Sequence, residues 1–419
     1  MDRIGEALIM NEYLMFKEID RGPHENFYDE FDYSEASTDE IVCAIESVLP
    51  KRRPIEHHEP FVNKKKATVE IANCIAYGIE KYRQVELFEE WLSKFTGAEY
   101  VLATNTGTSA LHVALLAAGV KHRDEVIVPS TTFVATANAV SHAGAVPHFI
   151  DGAPTIDPIH LKEYIERETK PADDGKGRIN RDHQRLTAII VVHLLGYPAD
   201  IVGICKVAEE LGLIVIEDAS QALGTRINGK HVGTFGWVGT FSFNNNKILA
   251  TSGGGAVITN SCNIHFDARQ LASTARKPHQ WLVEHESAAY NYRMGAINAA
   301  LGFTQAQDIK KTLAVKQGLA LRYRKALKGM VEFVEPPIEC EPNFWLNSIL
   351  VDNRDELLEK LHAKGIRARA SFTPLHLLPF YKYSLGGLYS YQYNAQENQM
   401  PQAMRFFERC VCLPSGSNL

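Results

Sequence analysis

Lys247 lies in the run FSFNNNKILATSGGGAVIT, in a polar loop between two apolar stretches and 29 residues after Asp218. A lysine amine held in a pocket forms Schiff bases once desolvation or nearby positive charge lowers its pKa. Gly253, Gly254 and Gly255 mark backbone that passes close to something bulky. Without that context a lone loop lysine such as Lys247 is usually solvated surface. Asp218 ends the apolar part of IVIEDASQALG, with Gln221 one turn on. Burying a lone carboxylate is prohibitively costly, so Asp218 needs a partner. A protonated pyridine nitrogen is one candidate, and the first N–H groups of a helix are another.

Two earlier stretches carry complementary chemistry. In ATNTGTSAL, residues 103–111, a helix opens at Gly107 or Thr108, with the hydroxyls of Thr108 and Ser109 beside it. Free N–H groups and the helix dipole there favour a phosphate, and an ordinary helix cap is the competing reading. In STTFVATANAV, Phe133 falls just past the apolar run EVIVP. That is the edge at which α/β sheets bind ligands, so the ring either stacks on a flat cofactor or joins the core.

The elements that must position these residues follow from periodicity. Helical spacing runs through 67–79, 85–95 and Ile201–Leu211, between the short apolar runs EVIVPS, AVPHFID, AIIVVHLLG, IVIEDAS, GTFSFN and GAVIT. Such alternation predicts an α/β fold with a mainly parallel sheet covered on both faces. After Asn298 a long helical stretch leads out to FWLNSILV, RDELLEKLHAKG and IRARASF, which read as strand, helix and strand of a smaller α+β unit. The expected divisions are an acidic extension over 1–55, a large domain over 56–310 and a small domain over 311–419. In the extension three readings stand equal: a short helix over Asp39–Val48 with Ser37, Thr38 and Asp39 as candidate caps, disorder, or docking on a partner subunit.

Composition limits the partners. Hydrophobic residues make up 45% of the 419 and charged residues 22%, the balance of a globular protein, and the net charge of −6 argues against general nucleic-acid binding. The longest apolar stretches fall short of the roughly 20 residues that span a bilayer, and the first residues lack a signal-peptide core, so a cytoplasmic protein is expected. The seven cysteines show no paired framework; Cys410 and Cys412 form only a C-x-C, and His57 and His58 are adjacent, so no metal site is expected.

Taken in order, FEEWLSKFTGAEYVLATNTGTSALHVAL, EVIVPSTTFVATANAV, VVHLLGYPADI, VIEDASQALG, FSFNNNK and YNYRMGAINAALG make the chain resemble the DegT/DnrJ/EryC1/StrS family of fold-type I aminotransferases, over roughly residues 56–417. The resemblance implies a seven-stranded, mainly parallel sheet and pyridoxal 5'-phosphate as cofactor, with Lys247 in Schiff-base linkage to it and Asp218 on its ring nitrogen. It further implies that Phe133 stacks on the ring and that Gln221 lies beside the 3-hydroxyl. Thr108, Ser242 and the amide of Gly107 or Thr108 would hold the phosphate, and His193 would lie near the substrate. YNYRM, residues 290–294, resembles a segment that enters the neighbouring subunit's site, with Asn291 or Arg293 touching that subunit's phosphate or substrate. A homodimer with shared sites is thereby implied; simple loop packing is the alternative for Tyr290 and Tyr292.

Within the family, FSFNNNKILATSGGGA, RKPHQWLVEHE and FWLNSILV most resemble enzymes that aminate C4 of UDP-4-keto-6-deoxy-N-acetylhexosamines, with glutamate as the expected donor. Ser252, where the wider family has Glu, and Asn245, in place of a small residue, are departures that bear on substrate. Arg276, Lys277 and His279 offer cations for a diphosphate and Trp281 a stacking surface, against the alternative of a basic surface patch. A sugar dehydratase of the same family would lack the lysine. Amination of a 3-keto-sugar or cyclitol, and a non-catalytic regulator, stay open. A dinucleotide-binding dehydrogenase would need a G-x-G-x-x-G that GTSALHVALLAAG does not supply.

Overall fold

A computed structural model describes residues 36–50, 55, 66–69, 71–72, 83–180, 183–336, 338–383 and 400–416. Its main sheet follows the order β1 (Tyr100–Thr104), β11 (Gly255–Thr259), β10 (Val238–Ser242), β7 (Ile214–Asp218), β6 (Arg185–Val192), β2 (Glu125–Pro129) and β3 (Val146–Ile150). Within this path only β11 runs against the rest, antiparallel to both neighbours. A short hairpin, β4 (Thr169–Pro171) and β5 (Arg178–Asn180), adjoins β6 and brings the sheet to nine strands, two more than the sequence implied. The near-continuous apolar runs of β2, β3 and β6 suit strands buried on both faces.

The register collects the candidate residues at one edge. Asp218 pairs with Val192 on one side and Thr240 on the other, so the carboxyl ends of β6, β7 and β10 lie level. Gly255 pairs with both Ser242 and Thr104, which puts the glycine run, the end of β10 and the end of β1 at that same edge. The helix Gly107–Ala117 starts there, and Phe133 follows the end of β2.

A second sheet orders β12 (Glu332–Phe333), β13 (Asn347–Leu350), β15 (Cys410–Leu413) and β14 (Arg369–Ala370), all antiparallel. Alternation along β15 divides its side chains between two cores: Cys410 and Cys412 join the main core, while Val411 and Leu413 face a second one. That second core includes Leu319 and Tyr323 of the helix Ile309–Ala326 and Leu357 and Leu361 of the helix Arg354–Ala363. The helix Thr38–Val48 completes it with Ile41, Val42 and Ile45, so this part of the acidic extension is packed structure. Ser37 is its cap, in a reciprocal capping box with Glu40. The ion pairs Lys360–Asp39 and Lys364–Glu46 rim the contact. The long helical stretch after Asn298 divides into Ala296–Ala306 and Ile309–Ala326.

Candidate active site

The helix Gly107–Ala117 opens at the first of its two expected starts, with Thr106 as its cap. Thr106, in extended conformation, accepts from the Ser109 N–H at 3.0 Å and bonds its hydroxyl at 2.7 Å, and Ser109 Oγ donates to Asn105 Oδ1 at 2.6 Å. Ser109 thus closes the cap with both its N–H and its hydroxyl. The N–H groups of Gly107 and Thr108 open the helix and have no intrahelical acceptor. Gly107 lies against Ser242: a Cβ there would stand 2.7 Å from Ser242 Cβ and 3.0 Å from its Oγ. Gly255 passes beneath, where a Cβ would stand 2.4 Å from the Thr106 carbonyl oxygen. The bulky neighbour of Gly255 is therefore the chain's own backbone, while Gly254 is crowded by the side chains of Thr251 and Met294. Gly255→Ala is expected to destabilise the protein by about 1–3 kcal/mol in denaturant unfolding; an unchanged midpoint would contradict this packing.

Asp218 is buried. Its Oδ2 accepts from Thr136 Oγ1 at 2.8 Å and its Oδ1 from the Ser220 N–H at 3.1 Å. Thr136 escaped sequence reading, although it lies one turn past Phe133 in the same STTFVAT run. Glu217, next along the strand, points to the opposite face. There it accepts from the N–H groups of Gly233 at 2.6 Å, Phe235 at 2.6 Å and Gly236 at 2.7 Å. Burial pushes the Glu217 carboxyl up, but His193 and these amides outweigh it and hold the group below its usual range.

Of the residues expected near the substrate, His193 is the one turned into the protein. Its ring is wholly buried; Nδ1 accepts from the Ala199 N–H at 3.2 Å, which makes Nε2 the donor to Glu217 at 2.9 Å. Both ring nitrogens are spent inside the protein, on the Glu217 side of β7. Gln221 is also buried, and its Oε1 accepts from the N–H of Leu195 at 2.7 Å.

Lys247 rests against the aromatic face of Trp345, with Nζ 4.0 Å from the ring centroid. Burial pushes its amine down to about 8; the Asp218 carboxylate opposes that shift and the Arg369 guanidinium adds to it. Arg369 lies 4.9 Å from the centroid of the Phe372 ring, and Phe372 stands 5.8 Å from Phe133, edge to face. Phe133 is 52% exposed, so it is not a core residue and offers an open face. Trp345, Arg369 and Phe372 come from the second sheet and its flanks. No spacing in the sequence pointed to them.

Residues 290–294 line the end of β1 in the same chain: the Asn105 N–H donates to the Tyr292 carbonyl at 2.7 Å, and Thr104 bridges to Arg293. Tyr290 and Tyr292 stack at 4.9 Å and pack on buried His112, the loop-packing alternative, while Asn291 and Arg293 are exposed. Residues 275–286 form a hairpin, held by Lys277 N–H to the Glu284 carbonyl at 2.9 Å and Glu286 N–H to the Ala275 carbonyl at 2.8 Å. Arg276, Lys277, His279 and Trp281 are brought together on it, all exposed, with the His279 and Trp281 rings 5.0 Å apart.

Among the described residues no group of three His, Cys, Asp or Glu is placed to hold a metal ion, and no helix is long and apolar enough to cross a membrane. Cys410 and Cys412 are buried, with Cys412 Sγ 3.4 Å from Ser348 Oγ; His57 and His58 lie outside the described residues.

The site fits pyridoxal phosphate. It has a lysine amine with a lowered pKa, a buried carboxylate with acceptor capacity to spare, an exposed aromatic ring and a helix start walled by glycine and serine. Fold and site together define a pyridoxal phosphate-dependent aminotransferase. The chain belongs to the DegT/DnrJ/EryC1/StrS aminotransferase family, which residues 63–419 match. It is 35% identical over 343 residues to the putative pyridoxal phosphate-dependent aminotransferase EpsN of Bacillus subtilis, covering 80% of this chain and 84% of that one. With GDP-perosamine synthase of Vibrio cholerae it shares 33% over 357 residues, 83% of this chain and 90% of the relative. The crystal structure of a family aminotransferase from Brucella abortus superposes with a TM-score of 0.75 at 29% identity, covering 85% of this chain and 91% of that one. The protein is accordingly an aminotransferase of this family.

Proposed function

We propose that the protein transfers an amino group from L-glutamate to C4 of a UDP-linked 4-keto-6-deoxy sugar, as a cytoplasmic homodimer divided into units at 56–310 and 311–419. The observation that carries this reading is the gathering of Lys247, Asp218, Phe133 and the Gly107–Ser242 cradle at one sheet edge. Bound pyridoxal phosphate supplies an electron sink for the carbon that loses its proton. Lys247 carries the cofactor and, once displaced, moves that proton with Nζ; an amine pushed down to about 8 keeps a usable neutral fraction near neutral pH. Asp218, negative and buried, holds a proton on the ring nitrogen, and Thr136 fixes its carboxylate. Thr108, Ser242 and the N–H of Gly107 or Thr108 would hold the phosphate, while Phe133 would stack on the ring and Gln221 would lie beside its 3-hydroxyl.

Exposed Asn291 and Arg293 are offered to the second subunit, and the hairpin carrying Arg276, Lys277, His279 and Trp281 is offered to the nucleotide diphosphate. The choice of UDP and of C4 is supported by the FSFNNNKILATSGGGA, RKPHQWLVEHE and FWLNSILV stretches. Because GDP-perosamine synthases are among the relatives, the nucleotide is the part to test. Protein brought to its amino form with glutamate should regain lysine-bound cofactor absorbance fastest with a UDP-4-keto-6-deoxy-N-acetylhexosamine. Faster recovery with a GDP- or dTDP-linked sugar, or with a 3-keto-sugar, would overturn that choice.

A further inference from the structure

The amine of Lys247 is seated on a ring that the rest of the molecule holds from several sides. Trp345 is 2% exposed, and all three of its polar groups are engaged. Its indole Nε1–H donates to the carbonyl of Asn246, the residue before Lys247, at 2.6 Å. Its backbone N–H donates to Asn343 Oδ1 at 2.8 Å, and its carbonyl accepts from the buried Lys316 Nζ at 2.9 Å. Asn343 in turn donates to the carbonyls of Gln221 and Leu223, both at 3.0 Å, in the turn that follows Asp218. Gly196, at φ +97°, makes room for this arrangement: a Cβ there would stand 2.0 Å from Asn343 Oδ1 and 2.8 Å from the Trp345 nitrogen. The stretch 343–346 thus ties the turn beyond Asp218 to the loop that carries Lys247.

We propose that Trp345 is a positioning residue for Lys247: its indole N–H fixes the lysine's loop, and its ring face seats the amine whenever that amine is not bonded to the cofactor. The proposal rests on Lys247 being the cofactor lysine. The reaction calls for such a seat. In each half-reaction the amine is released, must remain within reach of the carbon whose proton it moves, and must then return. Nζ gains one proton from the donor's α-carbon and gives one up within the same half-reaction, with no net change. A lysine stem is flexible, and most of its rotamers aim the amine away from that carbon. An indole face attracts an ammonium, yet it also accommodates a neutral amine against an apolar surface. It therefore serves both protonation states through which the transfer cycles, whereas a carboxylate at the same place would trap the charged one.

Two variants of the full-length protein test this. Trp345→Phe keeps a ring face and removes the N–H donor; Trp345→Leu removes both. In cofactor-free protein, the rate at which added pyridoxal phosphate becomes lysine-bound is expected to fall about tenfold in Trp345→Leu and about threefold in Trp345→Phe. In the loaded enzyme, the deuterium isotope effect on kcat/KM with α-deuterated glutamate is expected to rise in the same order, because misplacing the amine slows proton transfer itself. A residue that merely supported the fold would lower activity without moving that isotope effect. An unchanged capture rate or an unchanged isotope effect in both variants overturns the proposal. Should Trp345→Leu fail to fold, Trp345→Phe decides alone on the same two readings. Lys247→Ala separates this proposal from the one beneath it. If that variant still forms lysine-bound cofactor, the assignment of the lysine fails. If it forms none while both Trp345 variants match the wild type, only the role of Trp345 fails.

Discussion

Lys247→Ala is expected to give a folded protein that holds pyridoxal phosphate without a covalent link and turns over at least about a thousandfold more slowly. The loss has two parts. The variant has no amine at the edge where Asp218, Ser242 and Phe133 meet, and so no group to move the donor's α-proton. In the wild type, covalent capture of added cofactor should rise with pH and level off above about 8, where the amine is neutral. Stopped-flow absorbance measures both. A variant that captures cofactor with wild-type rate and pH dependence would show that another lysine does this work.

Asp218→Asn carries the second large effect. Asparagine has nearly the same shape and keeps an oxygen that can accept from Thr136 or Ser220, so the fold and the melting temperature should be nearly unchanged. What it loses is the negative charge that holds a proton opposite it. A fall in kcat of about a hundredfold or more is expected, with cofactor affinity weakened less. Near-normal kcat would remove Asp218 from any electronic role and leave it as a capping carboxylate for Ser220.

These two residues were legible in the sequence because strand ends are. An apolar run that stops at a charged or small residue gives the carboxyl edge of a parallel sheet, and Asp218, Ser242, Phe133 and Gly107 each stand at or just beyond such a stop. What the pattern does not give is the direction of a side chain. His193 follows β6 as Phe133 follows β2, yet its ring turns to Glu217, because a buried carboxylate needs a donor and the imidazole supplies one. The part Ser109 plays in the cap was hidden for a similar reason: cap geometry depends on the φ and ψ of Thr106, which composition does not reveal. The contribution of the second sheet was out of reach altogether. Trp345 and Arg369 lie about a hundred residues or more from Lys247 along the chain, and tertiary contacts such as the Trp345 indole N–H on the Asn246 carbonyl bring them to the cofactor edge. Thr136 could have been found, since a hydroxyl one turn past Phe133, at the start of the helix Ala135–His142, lies at the same sheet edge as the Asp218 carboxylate.

The chain holds a second lysine with a lowered pKa, and it makes the assignment of the cofactor lysine open to direct trial. Lys316 is pushed down to about 7 by burial alone, and its Nζ is spent on the carbonyls of Trp345 and Ser415. A low pKa therefore does not single out Lys247; its place at the sheet edge beside Asp218 does. Reducing the cofactor-loaded protein with borohydride and mapping the labelled peptide reads the site without reference to activity. The label should fall on the peptide containing Lys247 and no other. A label on Lys316, or on any lysine elsewhere in the chain, would contradict the account.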